Sequence, residues 1–263
     1  MSDTPQTIEY RGNCHCGAFR FTFRTPPLEQ AFICNCSICS RNGYMWAFPA
    51  SEQDLAVVKG DENSTLRSYH FGKGMLTHKF CPTCGTSVMR RGADGKCAIN
   101  IRTLADVDLY SLPVLTSDGA AIEPQYKAPA PVQVEAVPEG STVYNGNCHC
   151  GAVGFALVAP EIITTASDCN CSICTRAGAL WTYPQVTAMT FRGLDSLVEY
   201  TFASKSIYHG FCKNCGVAIR ARFDQGEACT DMAVNVRNMN GLDLSALQIK
   251  KWDGKSMLPL YEV

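Results

Sequence analysis

The sequence has no long apolar run, no excess charge of either sign and no extended helical period. The longest apolar stretches, such as Ala152–Pro160, fall far short of the ~20 residues that a membrane-spanning helix needs. Met1–Arg11 is polar and carries no apolar segment of the kind a secretory leader has. No membrane partner is therefore expected, and the expected compartment is the cytoplasm, with the nucleus as the alternative. The formal net charge is −1 over 263 residues. Residues 1–127 hold 13 of the 23 basic and 12 of the 24 acidic side chains, so neither half is a basic patch. Binding to a phosphate backbone relies on several Lys and Arg displacing counterions, and the charge balance argues against nucleic acid as a partner. Hydrophobic residues make up 46% of the chain, enough to bury a core.

Cysteine, by contrast, is abundant: there are sixteen. In a reducing compartment that number points to metal ligation or catalysis before disulfides. The cysteines fall into a repeat. Gly12 begins G-N-C-H-C-G-A, and Gly146 begins the same seven letters. C-N-C-S-I-C runs from Cys34 to Cys39 and again from Cys169 to Cys174, each followed by Trp and Pro at equal distances (Trp46 and Pro49, Trp181 and Pro184). His-x-Phe-Cys-x-x-Cys-Gly occurs at His78–Gly85 and His209–Gly216, and Ala98–Arg102 (A-I-N-I-R) answers Ala233–Arg237 (A-V-N-V-R). The offset stays between 131 and 135 residues, which makes the chain a tandem duplication. The expected division is a first domain at residues 8–127, a Pro-rich linker at 128–141 and a second domain at 142–263. Two readings of the linker stay open: a stiff extended spacer, or a segment packed in order along the surface. Packing of the two halves on each other as a pseudo-dimer is a further expectation.

Each half reads as mainly β. Phe19, Phe21 and Phe23 alternate with polar residues, the pattern of a half-buried strand. Thr65–Tyr69, Met75–Phe80, Ala98–Arg102, Val198–Phe202 and Ala233–Arg237 are short and rich in β-branched or aromatic residues. Turn signals, Lys59-Gly60-Asp61 and Ala93-Asp94-Gly95, lie between strands. The expected fold class is mainly β, two tandem domains of mainly antiparallel sheets with few short helices. A domain of that size gains much from a metal staple.

Fourteen of the sixteen cysteines match between halves. Cys97 and Cys229 do not, and read as incidental thiols. In each half the seven matched cysteines divide as four plus three. Cys14/Cys16 with Cys81/Cys84, and Cys148/Cys150 with Cys212/Cys215, are short pairs far apart in sequence, the arrangement by which a structural zinc ties two loops together. Four thiolates close its tetrahedron, and the glycine after each pair suits a tight turn. Cys34, Cys36 and Cys39, and likewise Cys169, Cys171 and Cys174, sit on one short loop and leave the tetrahedron incomplete. A zinc held there keeps a position for a substrate atom, and among three thiolates it favours a fourth thiolate over water. The alternative is completion by a structural ligand. The expected cofactor is Zn²⁺, about two per domain.

The three motifs G-x-C-x-C-G-A, C-x-C-S-x-C and F-C-x-x-C-G, in this order and twice over, resemble the glutathione-dependent formaldehyde-activating enzymes and the related centromere protein V. C-N-C-S-I-C with His-x-Phe-Cys downstream is more similar to the centromere protein V branch. The resemblance implies a β-tent fold and two zincs per domain. It assigns the four-cysteine set to structural zinc and Cys34, Cys36, Cys39, Cys169, Cys171 and Cys174 to catalytic zinc. It also implies a carbon–sulfur lyase activity that joins a small thiol such as glutathione to formaldehyde or another small aldehyde. A shared scaffold does not fix the chemistry. Two other readings therefore stay open: a zinc-stabilised binding or scaffold protein like the centromere protein V branch, and a thiol redox sensor.

Other recurring residues admit two roles each. His78 and His209 could shuttle a proton or simply pack near the site. His15 and His149 point to structural roles, and His70 has no counterpart. Arg41 and Arg176 either attract an anionic thiol or are solvated. Asn100, Arg102, Asn235 and Arg237 either touch substrate or reflect common descent. Trp46 and Trp181 are core aromatics near the site or pocket walls.

Overall fold

A computed structural model describes residues 7–122, 124–224, 226 and 230–262. The chain divides into two compact units, with the boundary between Gln125 and Tyr126. In the first unit ten strands are described: β1 (Ile8–Asn13), β2 (Arg20–Thr25), β3 (Ala31–Cys34), β4 (Trp46–Ala47), β5 (Leu55–Lys59), β6 (Arg67–His70), β7 (Leu76–Phe80), β8 (Ser87–Gly92), β9 (Cys97–Asn100) and β10 (Val114–Ser117). A helix of six residues, α1 (Ser37–Asn42), lies between β3 and β4. The second unit repeats them: β11 (Thr142–Asn147), β12 (Gly154–Ala159), β13 (Thr165–Cys169), α2 (Ser172–Ala177), β14 (Trp181–Thr182), β15 (Met189–Arg192), β16 (Leu197–Tyr200), β17 (Ile207–Cys212), β18 (Ala218–Phe223), β19 (Met232–Asn235) and β20 (Gln248–Trp252).

Each unit has two sheets. Three strands pair in the order β1-β2-β5, and seven in the order β10-β3-β4-β9-β8-β7-β6. In the second unit every label rises by ten and the orders are the same, β11-β12-β15 and β16-β17-β18-β19-β14-β13-β20. The duplication read from the letters is thus a duplication of topology. Pairing is antiparallel with one departure from expectation: β10 runs parallel to β3, and β20 parallel to β13. The predicted strands at Ala98–Arg102 and Ala233–Arg237 stop early, because Asn100 and Asn235 accept hydrogen bonds from Arg102 N and Arg237 N and cap short 3₁₀ turns.

The alternating phenylalanines behave as their spacing predicts. Phe19, Phe21 and Phe23 are fully buried, as is Phe155 in the second unit. Gly12 and Gly146 open the repeated motif because the Phe21 and Phe155 rings occupy the space a Cβ would need there. Residues of the Pro-rich segment pack on the second unit: Val132 N donates to Asn145 Oδ1 at 2.9 Å, and Arg192 Nη1 donates to the Ala130 carbonyl at 3.2 Å. No helix among the described residues is long and apolar enough to cross a membrane.

Candidate metal centres

Turns and strand ends carry the cysteines. Cys14 and Cys16 sit on the turn from β1 to β2, in the small sheet, and Cys81 and Cys84 on the turn from β7 to β8, in the large one. The fold brings these four sulfurs within 4.8 Å of one another, and does the same with Cys148, Cys150, Cys212 and Cys215. Each cluster thereby ties the two sheets of its unit together. The sulfur–sulfur spacings are 3.7 Å for Cys14–Cys16, 3.6 Å for Cys16–Cys81, 3.5 Å for Cys148–Cys150 and 3.6 Å for Cys150–Cys212. A tetrahedron with zinc–sulfur bonds of about 2.3 Å has edges of about 3.8 Å. The clusters fit a zinc ion, and none of the fifteen described cysteines is in a disulfide. Gly17 and Gly85 follow their pairs at φ +68° and +72°, the left-handed region that glycine enters without strain.

Electrostatics supports the same reading. Cys150 is held far down by hydrogen bonds from Cys148 and its neighbours, while Cys148 is pushed far up by donating to Cys150. Four crowded thiols, three of them buried, cannot all ionise unless a cation offsets their charge. Backbone N–H groups already point at the sulfurs: Phe19 N to Cys14 and Val153 N to Cys148, both 3.3 Å.

The second pair of clusters comprises Cys34, Cys36 and Cys39, and Cys169, Cys171 and Cys174, again within 4.8 Å. Among the described residues no fourth Cys, His, Asp or Glu joins either group. The short loop expected to carry these ligands is partly helix. Cys36 and Cys171 are the N-caps of α1 and α2, Cys39 and Cys174 lie one turn in, and Cys34 and Cys169 close the preceding strands. Hydrogen bonds from Cys36 and Cys39, then from the backbone of Cys36 and Gly119, hold the Cys34 thiol well below its ordinary value. Cys39, donating to Cys34, is pushed up, and Cys174 likewise by donating to Cys169.

The recurring tryptophans are buried and hold the site directly. Trp181 Nε1 donates to Cys174 Sγ at 3.3 Å, and Trp46 makes the corresponding bond to Cys39. Asn100 and Asn235, fully buried, brace backbone: Asn100 Nδ2 donates to the Ser87 carbonyl and Asn235 Nδ2 to that of Ala218. Arg102 Nε and Arg237 Nε donate to the Gly43 and Gly178 carbonyls, at 2.6 and 2.7 Å, which lock the C-termini of α1 and α2. These four residues hold the cysteine helices in place. Arg41 and Arg176 are not solvated: each is 8% exposed and donates to a carbonyl of its own helix, Ser37 and Ser172.

His78 is buried and His209 half-buried, His78 against the Tyr44 and Phe71 rings and His209 against Phe202. Burial pushes His209 down to about 4, so it is neutral at pH 7 and carries no proton to donate as an imidazolium. His15 and His149 are buried, and neither ring joins a sulfur cluster. Cys97 is buried in β9 outside the clusters; Cys229 lies outside the described residues.

Two loops that sequence reasoning passed over close on the three-sulfur groups. They follow the parallel strands β10 and β20 and carry Asp118-Gly119 and Asp253-Gly254. Asn35 Nδ2 donates to Asp118 Oδ1 and Asn35 Oδ1 accepts from Ala120 N, both at 2.8 Å. Asn170 makes the same bonds to Asp253 and Lys255 N, again at 2.8 Å. A Cβ on Gly119 would overlap Cys34 Sγ, and one on Gly254 would stand 2.6 Å from Cys169 Sγ. The readable signal was Asp-Gly recurring at an offset of 135 residues, as C-N-C-S-I-C does. Gly119→Ala should weaken metal binding at the first three-sulfur group by roughly tenfold to a hundredfold while the four-sulfur group of the same unit keeps its metal. Chelator competition with metal counting checks this; equal loss from both groups would contradict it.

Residues 9–113 and 143–250 each match the family described as glutathione-dependent formaldehyde-activating enzyme (GFA). Among solved structures, a Rhodobacter sphaeroides protein is 28% identical, with 41% of this chain and 98% of that one aligned and a TM-score of 0.37.

Proposed function

The chain belongs to the glutathione-dependent formaldehyde-activating enzyme family, and from that membership we propose that it is a zinc-dependent enzyme making and breaking a carbon–sulfur bond in the adduct of a small thiol, such as glutathione, with formaldehyde or another small aldehyde. One observation carries the reading. Each unit holds both a four-sulfur group, enough to complete a tetrahedron, and a three-sulfur group that no fourth protein ligand joins among the described residues. Cys14, Cys16, Cys81, Cys84 and their counterparts Cys148, Cys150, Cys212 and Cys215 would hold structural zinc. Cys34, Cys36 and Cys39, and Cys169, Cys171 and Cys174, would hold the zinc that meets substrate.

Zinc at the three-sulfur groups supplies a place where a substrate thiol stays ionised at neutral pH. The protein's own groups tune that place. The Trp46 and Trp181 indoles donate to one sulfur of each group, and backbone N–H groups of Cys36 and Cys171 donate to another at 3.4 Å. Thiolates that accept hydrogen bonds give less electron density to a metal and leave more attraction for an incoming sulfur. The Asp118-Gly119 and Asp253-Gly254 loops pack directly against the Cys34 and Cys169 sulfurs. In the forward direction the thiolate sulfur bonds to the aldehyde carbon, the carbonyl π pair moves to oxygen, and that oxygen takes a proton from solvent. The reverse direction releases thiolate and aldehyde.

Zinc-loaded protein should speed the exchange between formaldehyde hydrate and S-hydroxymethylglutathione, read by NMR exchange spectroscopy. An exchange rate no faster than with the metal-stripped chain would overturn the proposal.

A further inference from the structure

The two three-sulfur sites share their cysteines and differ in what surrounds them. Strand register places the differences. Arg90 lies opposite His78 across β7 and β8, and Ala221 lies opposite His209 across β17 and β18. Ala221 belongs to the buried cluster that contains Cys174 and Trp181, so this position faces the three-sulfur group. In the first unit it carries a guanidinium. Arg90 Cζ stands 5.7 Å from the centre of the Trp46 ring and 5.6 Å from that of Phe48. Trp46 is the residue bonded to Cys39.

Arg90 is partly exposed, and among the described residues no carboxylate pairs with it. Its neighbour Arg91 is different, being paired with Glu62 at 2.8 Å and Glu52 at 3.4 Å. A cavity of about 420 Å³ opens on the side of Arg90 away from the sulfurs, lined by Phe48, Met75, Leu76 and Cys97 but by none of Cys34, Cys36 and Cys39, and its size would take the body of a thiol whose carboxylate Arg90 holds. Lys96 and Asp94 also line it and are paired with each other at 3.4 Å.

At the corresponding position of the second site no cation stands among the described residues. Ala221 replaces Arg90, Ala179 replaces the buried Tyr44, and the Phe32–Phe48 pair gives way to Ser167 and Tyr183. The Tyr183 hydroxyl bonds to Ser167 near the Cys174 and Cys169 sulfurs. The nearby arginines of β18 are engaged elsewhere, Arg220 and Arg222 both on Glu199.

We propose that the two units divide their substrates by charge: the first three-sulfur site selects thiols that carry a carboxylate, held by Arg90, and the second selects neutral thiols. This rests on reading the sites as thiol-binding. A guanidinium–carboxylate bond that one probe makes and its uncharged analogue cannot is worth about tenfold or more in affinity.

The test uses the cobalt-loaded full chain and two probes of nearly equal shape, 3-mercaptopropionate and 3-mercaptopropionamide. Binding is read from the sulfur-to-cobalt absorption band. With Cys171→Ser leaving the first site intact, the carboxylate should bind at least about tenfold tighter than the amide. Arg90→Gln, which keeps a stem against Trp46, should abolish that preference, and Arg90→Lys should restore part of it. With Cys36→Ser leaving the second site intact, the amide should bind at least as tightly, and Ala221→Arg should turn the preference toward the carboxylate. Equal binding of both probes at both sites, or a preference that survives Arg90→Gln, overturns the proposal alone. Absence of binding by either probe at either site overturns it together with the thiol-binding reading.

Discussion

Cys84→Ser should strip the metal from the first four-sulfur cluster and melt the unit around it. The cluster joins the β1–β2 turn of the small sheet to the β7–β8 turn of the large one, and three of its sulfurs, those of Cys14, Cys81 and Cys84, are nearly inaccessible to water. Structural zinc in small domains contributes on the order of 10 kcal/mol at neutral pH. That is as large as the whole stability of a typical domain, about 5–15 kcal/mol. Removing one thiolate also leaves three crowded thiols, two of them buried, without the cation that lets them ionise together. The expected result is loss of slow amide exchange across β1–β9, with loss of one metal from the four-sulfur site. Cys97→Ser is the control. Cys97 is equally buried but outside every cluster, and its replacement should leave metal content unchanged.

The second large effect is expected at the three-sulfur groups. If the three-sulfur groups hold the metals that meet substrate, as proposed, the double variant Cys36→Ser/Cys171→Ser should lower the rate of formaldehyde–glutathione exchange by at least about a hundredfold, since both metals would lose an anionic ligand. Its fold should survive. Both cysteines are N-caps of six-residue helices, and serine is a good N-cap. The helices are also held from elsewhere, by Arg102 on Gly43 and Arg237 on Gly178. Amide exchange and metal content at the four-sulfur groups should match the unaltered chain. Retained exchange activity in this variant would remove the three-sulfur groups from the mechanism.

Much of this was legible because the chain states its pattern twice. A single C-x-C or C-x-x-C is weak, but the same words at a common offset separate the cysteines that belong together from Cys97. The alternation of Phe19, Phe21 and Phe23 placed a buried strand face for the same reason, since period two is a strong local signal. What stayed hidden was set by tertiary placement. Helices α1 and α2, at six residues, are too short to show a 3.6-residue period. Asp118-Gly119 and Asp253-Gly254 are two-letter words. Their importance appears only when β10 and β20 lie parallel to β3 and β13 and bring the glycines against Cys34 and Cys169. Arg41 and Arg176 look like surface cations in the letters. Their burial follows from helices that fold the guanidinium back onto its own carbonyls. Arg90 and Ala221 could be paired only once strand register was known.

The most direct test of the central claim, that each unit holds one closed and one open zinc site, is zinc X-ray absorption of the fully loaded chain before and after a selenium-bearing thiol analogue is added. Two four-sulfur and two three-sulfur sites average about three and a half sulfurs per zinc, and the analogue should bring in a zinc–selenium contact at half of the zinc without displacing sulfur. Four sulfurs per zinc from the start, with no selenium contact after addition, would contradict the account.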